Sequence, residues 1–297
     1  MRLERPARIR RNSLLFVAPA GALVLLLVAL PLLRVIWDSF HFVNLVNPEQ
    51  AGWAGLENYR TVLDDEEFAP AVVRTVWWTA LSVVGEYLLG LVSALALARK
   101  VRGRAVFRAI LTVPWIVPIV VAGLTWTWML TPDYGVVNAW LQASGIARHP
   151  HHWLGQTETA LLAVTFVNVW RSFPFYTISL LAGLQTVPRE LYEAAAIDGA
   201  GALGRFWHIT LPHLRGISLT LVVMHCIWTA INFDFIWVMT EGGPLNASQT
   251  LPVLVYRYAL QQFDVGAASV VAVFMMLFMA GLVALRLALG RPARAEA

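Results

Sequence analysis

The 297-residue chain is 58% hydrophobic and only 13% charged, with a mean hydropathy of +0.64. A soluble domain typically carries about 25% charged residues, so the composition excludes an ordinary water-soluble fold. The 22 basic and 18 acidic residues leave a net charge of +4, but the basic residues gather at the ends of apolar runs, which favours membrane orientation over nucleic-acid binding. A single cysteine, Cys226, excludes an internal disulfide and a cysteine metal cluster; it reads as a small buried hydrophobe.

Six runs are long enough for a bilayer core, which needs about 20 mostly apolar residues in a helix. In chain order they are Leu14–Leu33, Val76–Ala98, Ala109–Leu130, Thr159–Gln185, Ile217–Thr240 and Val265–Leu285. The second contains Glu86, the fourth Arg171 and the fifth Asp234; the other three are free of charge. The first run exceeds a signal-peptide core and no small-residue cleavage pattern follows it, so it reads as a retained helix. The expectation is an all-α polytopic membrane protein with six transmembrane helices. Its parts are a basic N-terminus at 1–13, a helical domain at 14–290 and a tail at 291–297.

Arginine and lysine near span ends set the orientation. Residues 1–12, the second and fourth connections and the tail together carry 16 of them, against a sparse set on the other side that includes Arg60, Arg148 and Arg257. Both termini are therefore expected in the cytoplasm. The outward connections hold an acidic run, Asp64-Asp65-Glu66-Glu67, which reads as a solvated segment or as a contact for an external partner. They also hold His149, His151 and His152, which lack a carboxylate or thiol at ligand spacing and so predict no metal site. The sequon Asn246-Ala247-Ser248 matters only in a secretory pathway that nothing else indicates.

The fourth connection, 186–214, is longer and more patterned than a linker needs to be. Pro188 suits the first turn of a helix. Leu191, Ala194, Ala195 and Asp198 share one helical face, and Gly199 and Gly201 are able to end that helix with positive φ. Gly204–Ile209 is expected to form a second short helix, with Pro212 at the entry to the fifth span. The alanines leave room for another protein's surface, and Glu193 stands among them without a local partner. A docking element and an amphipathic helix on the membrane both fit this pattern.

Glu193-Ala194-Ala195, then Gly199, Ile209 and Leu211-Pro212 at their spacings, resemble the EAA motif of permease subunits of binding-protein-dependent ABC importers. Gly55-Leu56-Glu57-Asn58-Tyr59, Gly183-Leu184-Gln185, Thr240-Glu241-Gly242-Gly243-Pro244 and Tyr256-Arg257-Tyr258-Ala259 resemble the carbohydrate branch of maltose- and glycerol-phosphate-type permeases, over nearly the whole chain. The resemblance implies a type I ABC importer permease fold in a bacterial plasma membrane. It makes 186–214 the coupling segment, with Glu193, Ala194, Ala195, Asp198, Gly199, Arg205, Phe206 and Pro212 as the residues that engage the ATPase. It further implies half of a sugar pathway working by alternating access, with a disaccharide such as trehalose as cargo. The implied partners are a second related permease in a heterodimer, two ATP-binding subunits that use ATP and Mg, an extracytoplasmic solute-binding lipoprotein and the lipid bilayer.

Charges inside spans usually face a cavity or a neighbouring helix. Arg171 and Asp234 are placed to form an ion pair or to line a polar pathway. Sugars combine hydroxyls with apolar ring faces, so Asn168, Arg171, Trp228, Asn232, Phe233 and Asp234 are the candidate pathway residues. Trp126, Trp128 and Trp237 also suit interfacial anchoring. The chain has no phosphate-binding loop, since its one lysine, Lys100, lacks the glycine pattern, and no nucleophile or acid–base motif, so no catalytic residue is expected. The rival readings are an ion-gradient-driven secondary transporter, which would favour paired intramembrane carboxylates and inverted repeats, and a membrane scaffold with no pathway.

Overall fold

The computed structural model describes residues 18–99 and 102–289. The basic N-terminus expected at 1–13, the tail at 291–297 and the start of the first run lie outside the described residues. Among the described residues twelve helices follow one another: α1 Ala18–Asp38, α2 Glu57–Asp64, α3 Phe68–Ala98, α4 Arg104–Ile116, α5 Ile119–Met129, α6 Val136–Ala143, α7 Ala160–Gln185, α8 Arg189–Ile197, α9 Ala202–Ala230, α10 Asp234–Thr240, α11 Leu251–Tyr256 and α12 Val265–Leu289. A two-stranded antiparallel ribbon, β1 His41–Phe42 with β2 Gly52–Trp53, interrupts the helices early in the chain.

The described residues divide into two compact units, one comprising those up to Asp65 with Val255–Phe274, the other those of Glu66–Leu254 with the described residues from Met275 onward. In the first, the buried Asn58 donates to the Ser39 and His41 carbonyls at 3.1 and 2.8 Å. Backbone groups freed at the end of α1 thereby find a partner. Tyr258 donates its hydroxyl to Asp65. Burial and this carboxylate push the Tyr258 phenol well above its ordinary pKa, so it remains the donor.

The second unit is built on α3 and α7. Trp78, Val164, Val167, Phe235, Ile236 and Val253 are fully buried in one apolar cluster, and Leu180, Tyr176 and Leu214 in another. Gly90 shows how close the two helices come: a Cβ there would lie 2.4 Å from the Tyr176 Cβ and 3.1 Å from the Thr177 amide nitrogen. Small residues permit such close helix approach in membranes, where packing replaces the hydrophobic effect as the driving force.

Among the described residues, four helices are long and apolar enough to cross a membrane, α1, α3, α9 and α12, and the pair α4–α5 makes a fifth if counted as one bent span. The expected six spans are thus met only in part. The third run does not form one straight helix: α4 and α5 meet at 93°. Pro118 forces the preceding Val117 out of the helical region, and Val117 has ψ 129°. The fourth run forms the 26-residue α7, which is long enough but less apolar than the others because it carries Asn168, Arg171 and several hydroxyls. Asn168 and Arg171 bond to Glu86 and to the Val117 carbonyl, and the Thr165 and Thr177 hydroxyls bond back to carbonyls of α7 itself, which relieves the cost they would incur in lipid.

Two further expectations are corrected. No separate short helix occupies Gly204–Ile209; α9 is continuous for 29 residues from Ala202. A π turn at Phe206–Thr210, closed by the Leu211 amide on the Phe206 carbonyl, absorbs Pro212, which has no amide hydrogen to give. The fifth run breaks after Ala230, and α10 starts at Asp234.

Candidate functional site

The segment 186–214 presents a short exposed helix on a fixed base. None of the nine residues of α8 is buried. Its C-terminus is closed by a Schellman motif: the Ala200 amide reaches the Ala195 carbonyl at 2.8 Å and the Gly199 amide the Ala196 carbonyl at 3.2 Å. Gly199 has φ +79°, and a Cβ there would meet nothing within 4 Å. Backbone conformation, not crowding, therefore calls for glycine.

The base is held by side chains. The Tyr192 hydroxyl and Thr210 Oγ1 are 2.9 Å apart, tying α8 to the π turn of α9. The Thr186 hydroxyl meets His213 Nε2 at 3.0 Å. Val187 is buried, and the half-buried Phe206 packs on the cluster that contains Leu180, Tyr176 and Leu214. Glu193, Ala194 and Asp198 stay exposed, Ala195 and Arg205 are half-buried, and Pro212 is exposed just after the π turn of α9. Ile197, 88% exposed, adds an apolar side chain that the sequence reading did not single out. The arrangement is an exposed helix with three alanines, two carboxylates, Glu190 and Glu193, and two exposed aliphatic side chains, Leu191 and Ile197, tied to the first turns of a 29-residue rod.

The candidate pathway residues occupy three places. Arg171 and Asp234 form no ion pair. Instead Arg171 Nε donates to the Val117 carbonyl at 3.2 Å, satisfying an acceptor freed by the α4–α5 bend. The exposed Asp234 opens α10, where a carboxylate is favoured by the helix dipole. Asn232 lies at the break between α9 and α10, and its Oδ1 accepts the Phe235 amide at 3.2 Å, capping the short helix. Phe233 stacks on Trp237 at 5.2 Å between ring centroids, and Trp228 is exposed on the last turn of α9. Trp126, expected as an interfacial anchor, packs edge-on to Phe166 and Trp170.

Asn168 belongs to a different constellation. Glu86, fully buried on α3, accepts from Asn168 Nδ2 at 3.0 Å through Oε1 and meets His225 Nδ1 at 2.7 Å through Oε2. His225, 5% exposed, is packed against Tyr176, Phe175 and Trp228. A lone histidine inside an apolar run was the signal available in the sequence; counting histidine as neutral hid it. Among the described residues no group of three or more His, Cys, Asp or Glu side chains is placed to hold a metal ion. His151 instead stacks edge-on against Trp153.

A sequence profile described as "Binding-protein-dependent transport system inner membrane component" matches residues 86–293. The chain belongs to this family. The match covers α8 and its Schellman turn, the Glu86–His225 pair and both helix breaks. Its members are permease components of ABC importers, not enzymes in themselves. Among relatives, it is similar to the trehalose/maltose transport system permease protein MalF of Thermococcus litoralis, 37% identical over 263 residues, which are 88% of each chain. The sulfoquinovosyl glycerol transport system permease protein SmoG of Agrobacterium fabrum is 34% identical over 90% of this chain and 86% of its own. The trehalose transport system permease protein SugA of Mycobacterium tuberculosis is 32% identical over 89% of this chain and 83% of its own. In fold, the chain is similar to one in a crystal structure of a bacterial ABC transporter involved in the import of the acidic polysaccharide alginate, with TM-score 0.80 at 21% identity, over 96% of this chain and 99% of the other.

Proposed function

We propose that this chain is one of two related permease subunits of an ATP-driven importer that carries a disaccharide such as trehalose across the plasma membrane. The observation that carries the reading is α8: an exposed Glu-Ala-Ala helix, closed by a positive-φ glycine and fixed to the head of α9. Such an element has no use in a self-contained transporter but fits a cleft on a separate motor. The relatives whose names mention trehalose support the choice of sugar.

In this reading α8 is the coupling helix and faces the cytoplasm with both chain termini. Glu193 and Asp198 contact the ATPase, Ala194 and Ala195 allow close approach, and Gly199 makes the turn. Arg205, Phe206 and Pro212 hold the segment on α9. The partner subunits bind ATP and Mg, and their closure moves α8, which turns the pathway outward to receive sugar from a solute-binding lipoprotein. Trp228, Asn232, Phe233 and Asp234 line the pathway at the α9–α10 break, with Arg171 at the α4–α5 bend and Asn168 behind them.

The test is reconstitution of the wild-type complex in proteoliposomes with external binding protein and internal ATP, scored with radiolabelled trehalose and maltose. ATP-dependent uptake that Glu193→Ala lowers by about tenfold or more, the equivalent of one lost charge-assisted contact, is the expected result. Uptake that needs no ATPase subunit and follows an ion gradient would refute it.

A further inference from the structure

The Glu86–His225 pair has no part in docking the ATPase and is sealed from solvent, yet it lies on the route between α8 and the α9–α10 break. Glu86 belongs to α3, and α3 and α7 are locked together on either side of it. At Gly85 a Cβ would lie 2.9 Å from a Val169 methyl, and at Gly90 one would strike the Tyr176 Cβ. Asn168 of α7 holds the other carboxylate oxygen at 3.0 Å. Glu86 therefore sits in a two-helix body with little freedom to shift.

His225 belongs to α9. That helix is one rod from Ala202, beside α8, to Ala230, where it breaks. Three side-chain ties join the rod to α3: Tyr87 to Ser218 at 2.9 Å, Glu86 to His225 at 2.7 Å, and Trp78 Nε1 to the Thr229 carbonyl at 2.9 Å. Ser218, His225 and Thr229 follow each other at spacings of seven and four residues, one face of the helix. The middle tie is the one made by ionisable groups. One proton between Oε2 and Nδ1 satisfies those two atoms, while the buried His225 Nε2 has no partner among the described residues; with the tie broken a further polar group is left unpaired in a low-dielectric interior, the costliest state for it.

We propose that Glu86 and His225 are positioning residues for ATP-coupled transport: their bond makes the α9 rod and the α3–α7 body move together when α8 is displaced. This rests on the reading of α8 as the coupling helix. A chain without the tie keeps the Tyr87–Ser218, Trp78–Thr229 and Tyr176–Leu221 bonds, so that α9 follows the ATPase with a weaker hold on the α3–α7 body and hydrolysis outruns transport.

The experiment measures sugar taken up per ATP hydrolysed by the whole complex in proteoliposomes, using radiolabelled trehalose or maltose, whichever the wild type carries. A wild type with no ATP-dependent uptake defeats the importer reading itself and is recognised before any variant is made. Glu86→Gln keeps both hydrogen bonds, accepting from Asn168 and donating to His225 Nδ1, and retains a ratio within about twofold of wild type. Glu86→Leu and His225→Leu keep ATP hydrolysis but lower the ratio by about tenfold, the equivalent of one lost buried bond worth some 1.4 kcal/mol. An assembled Glu86→Leu complex with the wild-type ratio overturns the proposal. So does a Glu86→Gln complex as uncoupled as Glu86→Leu, or uptake and hydrolysis that fall in proportion. Should both leucine variants fail to assemble, His225→Phe decides on the same ratio, because its ring keeps the aromatic packing against Phe175, Tyr176 and Trp228 but carries no nitrogen toward Oε2: a lowered ratio supports the tie and an unchanged one overturns it.

Discussion

Replacing Gly199 with alanine isolates backbone conformation from contact. Its φ of +79° lies in the left-handed region, while the space a Cβ would enter holds nothing within 4 Å. Within the chain, then, alanine costs only the conformational penalty of about 1–2 kcal/mol for an L residue in that region. Both Schellman bonds, from Ala200 to Ala195 and from Gly199 to Ala196, depend on that φ. If docking requires this turn, the penalty appears in the affinity for the ATPase as a factor of roughly 5–30. The assay is a titration of ATPase subunits onto the permease pair in nanodiscs, read by binding and by stimulated ATP hydrolysis. Gly199→Asn is the control, since asparagine tolerates the left-handed region far better than alanine. The expected order is wild type tightest, asparagine close behind, alanine weakest. Alanine and asparagine equally impaired would show that side-chain bulk at the docked surface is the cause, and the conformational argument would fall.

Asn232→Ala removes the cap on α10 and is expected to lower uptake while the complex still assembles, with a stability cost of about 1 kcal/mol; Asp234→Ala is expected to lower uptake likewise, and loss of the complex from the membrane in both variants would assign them to packing. Gly90→Ala forces a Cβ into the α3–α7 contact and is expected to cost about 1–3 kcal/mol, seen as a lower unfolding temperature of the purified complex, whereas Gly281→Ala, whose Cβ would meet nothing, leaves that temperature unchanged or slightly raised. Arg171→Leu strips the partner from the Val117 carbonyl and is expected to loosen the α4–α5 bend, read as faster hydrogen exchange at Val117–Val121 relative to wild type.

Local chemistry was the legible part. Gly199 could be read as a helix stop because the Schellman turn is written in adjacent residues, and Pro188 set the start of α8 for the same reason. Apolar run length located α12 and the end of α3, but it missed the start of α9, which lies in the patterned connection at Ala202, and the break after Ala230. Where the reading failed, a neighbouring element or a competing local rule had won. Pro118 was visible in the third run, but absence of charge made the run look like one straight helix. Pro212 suggested a fresh helix start, whereas a π turn lets α9 run through it. Arg171 and Asp234 looked like partners because each was a lone charge in its run; their actual neighbours, a bent-helix carbonyl and a helix N-terminus, depend on backbone breaks. Asn168 and Glu86 meet through the close approach of α3 and α7, and His225 joins them from 139 residues away along the chain, a distance over which sequence spacing carries no information.

The central claim is that this chain works as a membrane half whose α8 receives a separate ATPase. Its most direct test is purification of the tagged chain from its native membrane in mild detergent, with the co-purifying proteins identified by mass spectrometry. The account predicts recovery of an ATPase, a second permease of the same family and a solute-binding protein, with the ATPase lost when Glu193 and Gly199 are both replaced. Recovery of the chain alone or as a homo-oligomer, under conditions in which another ABC importer stays intact, would contradict it.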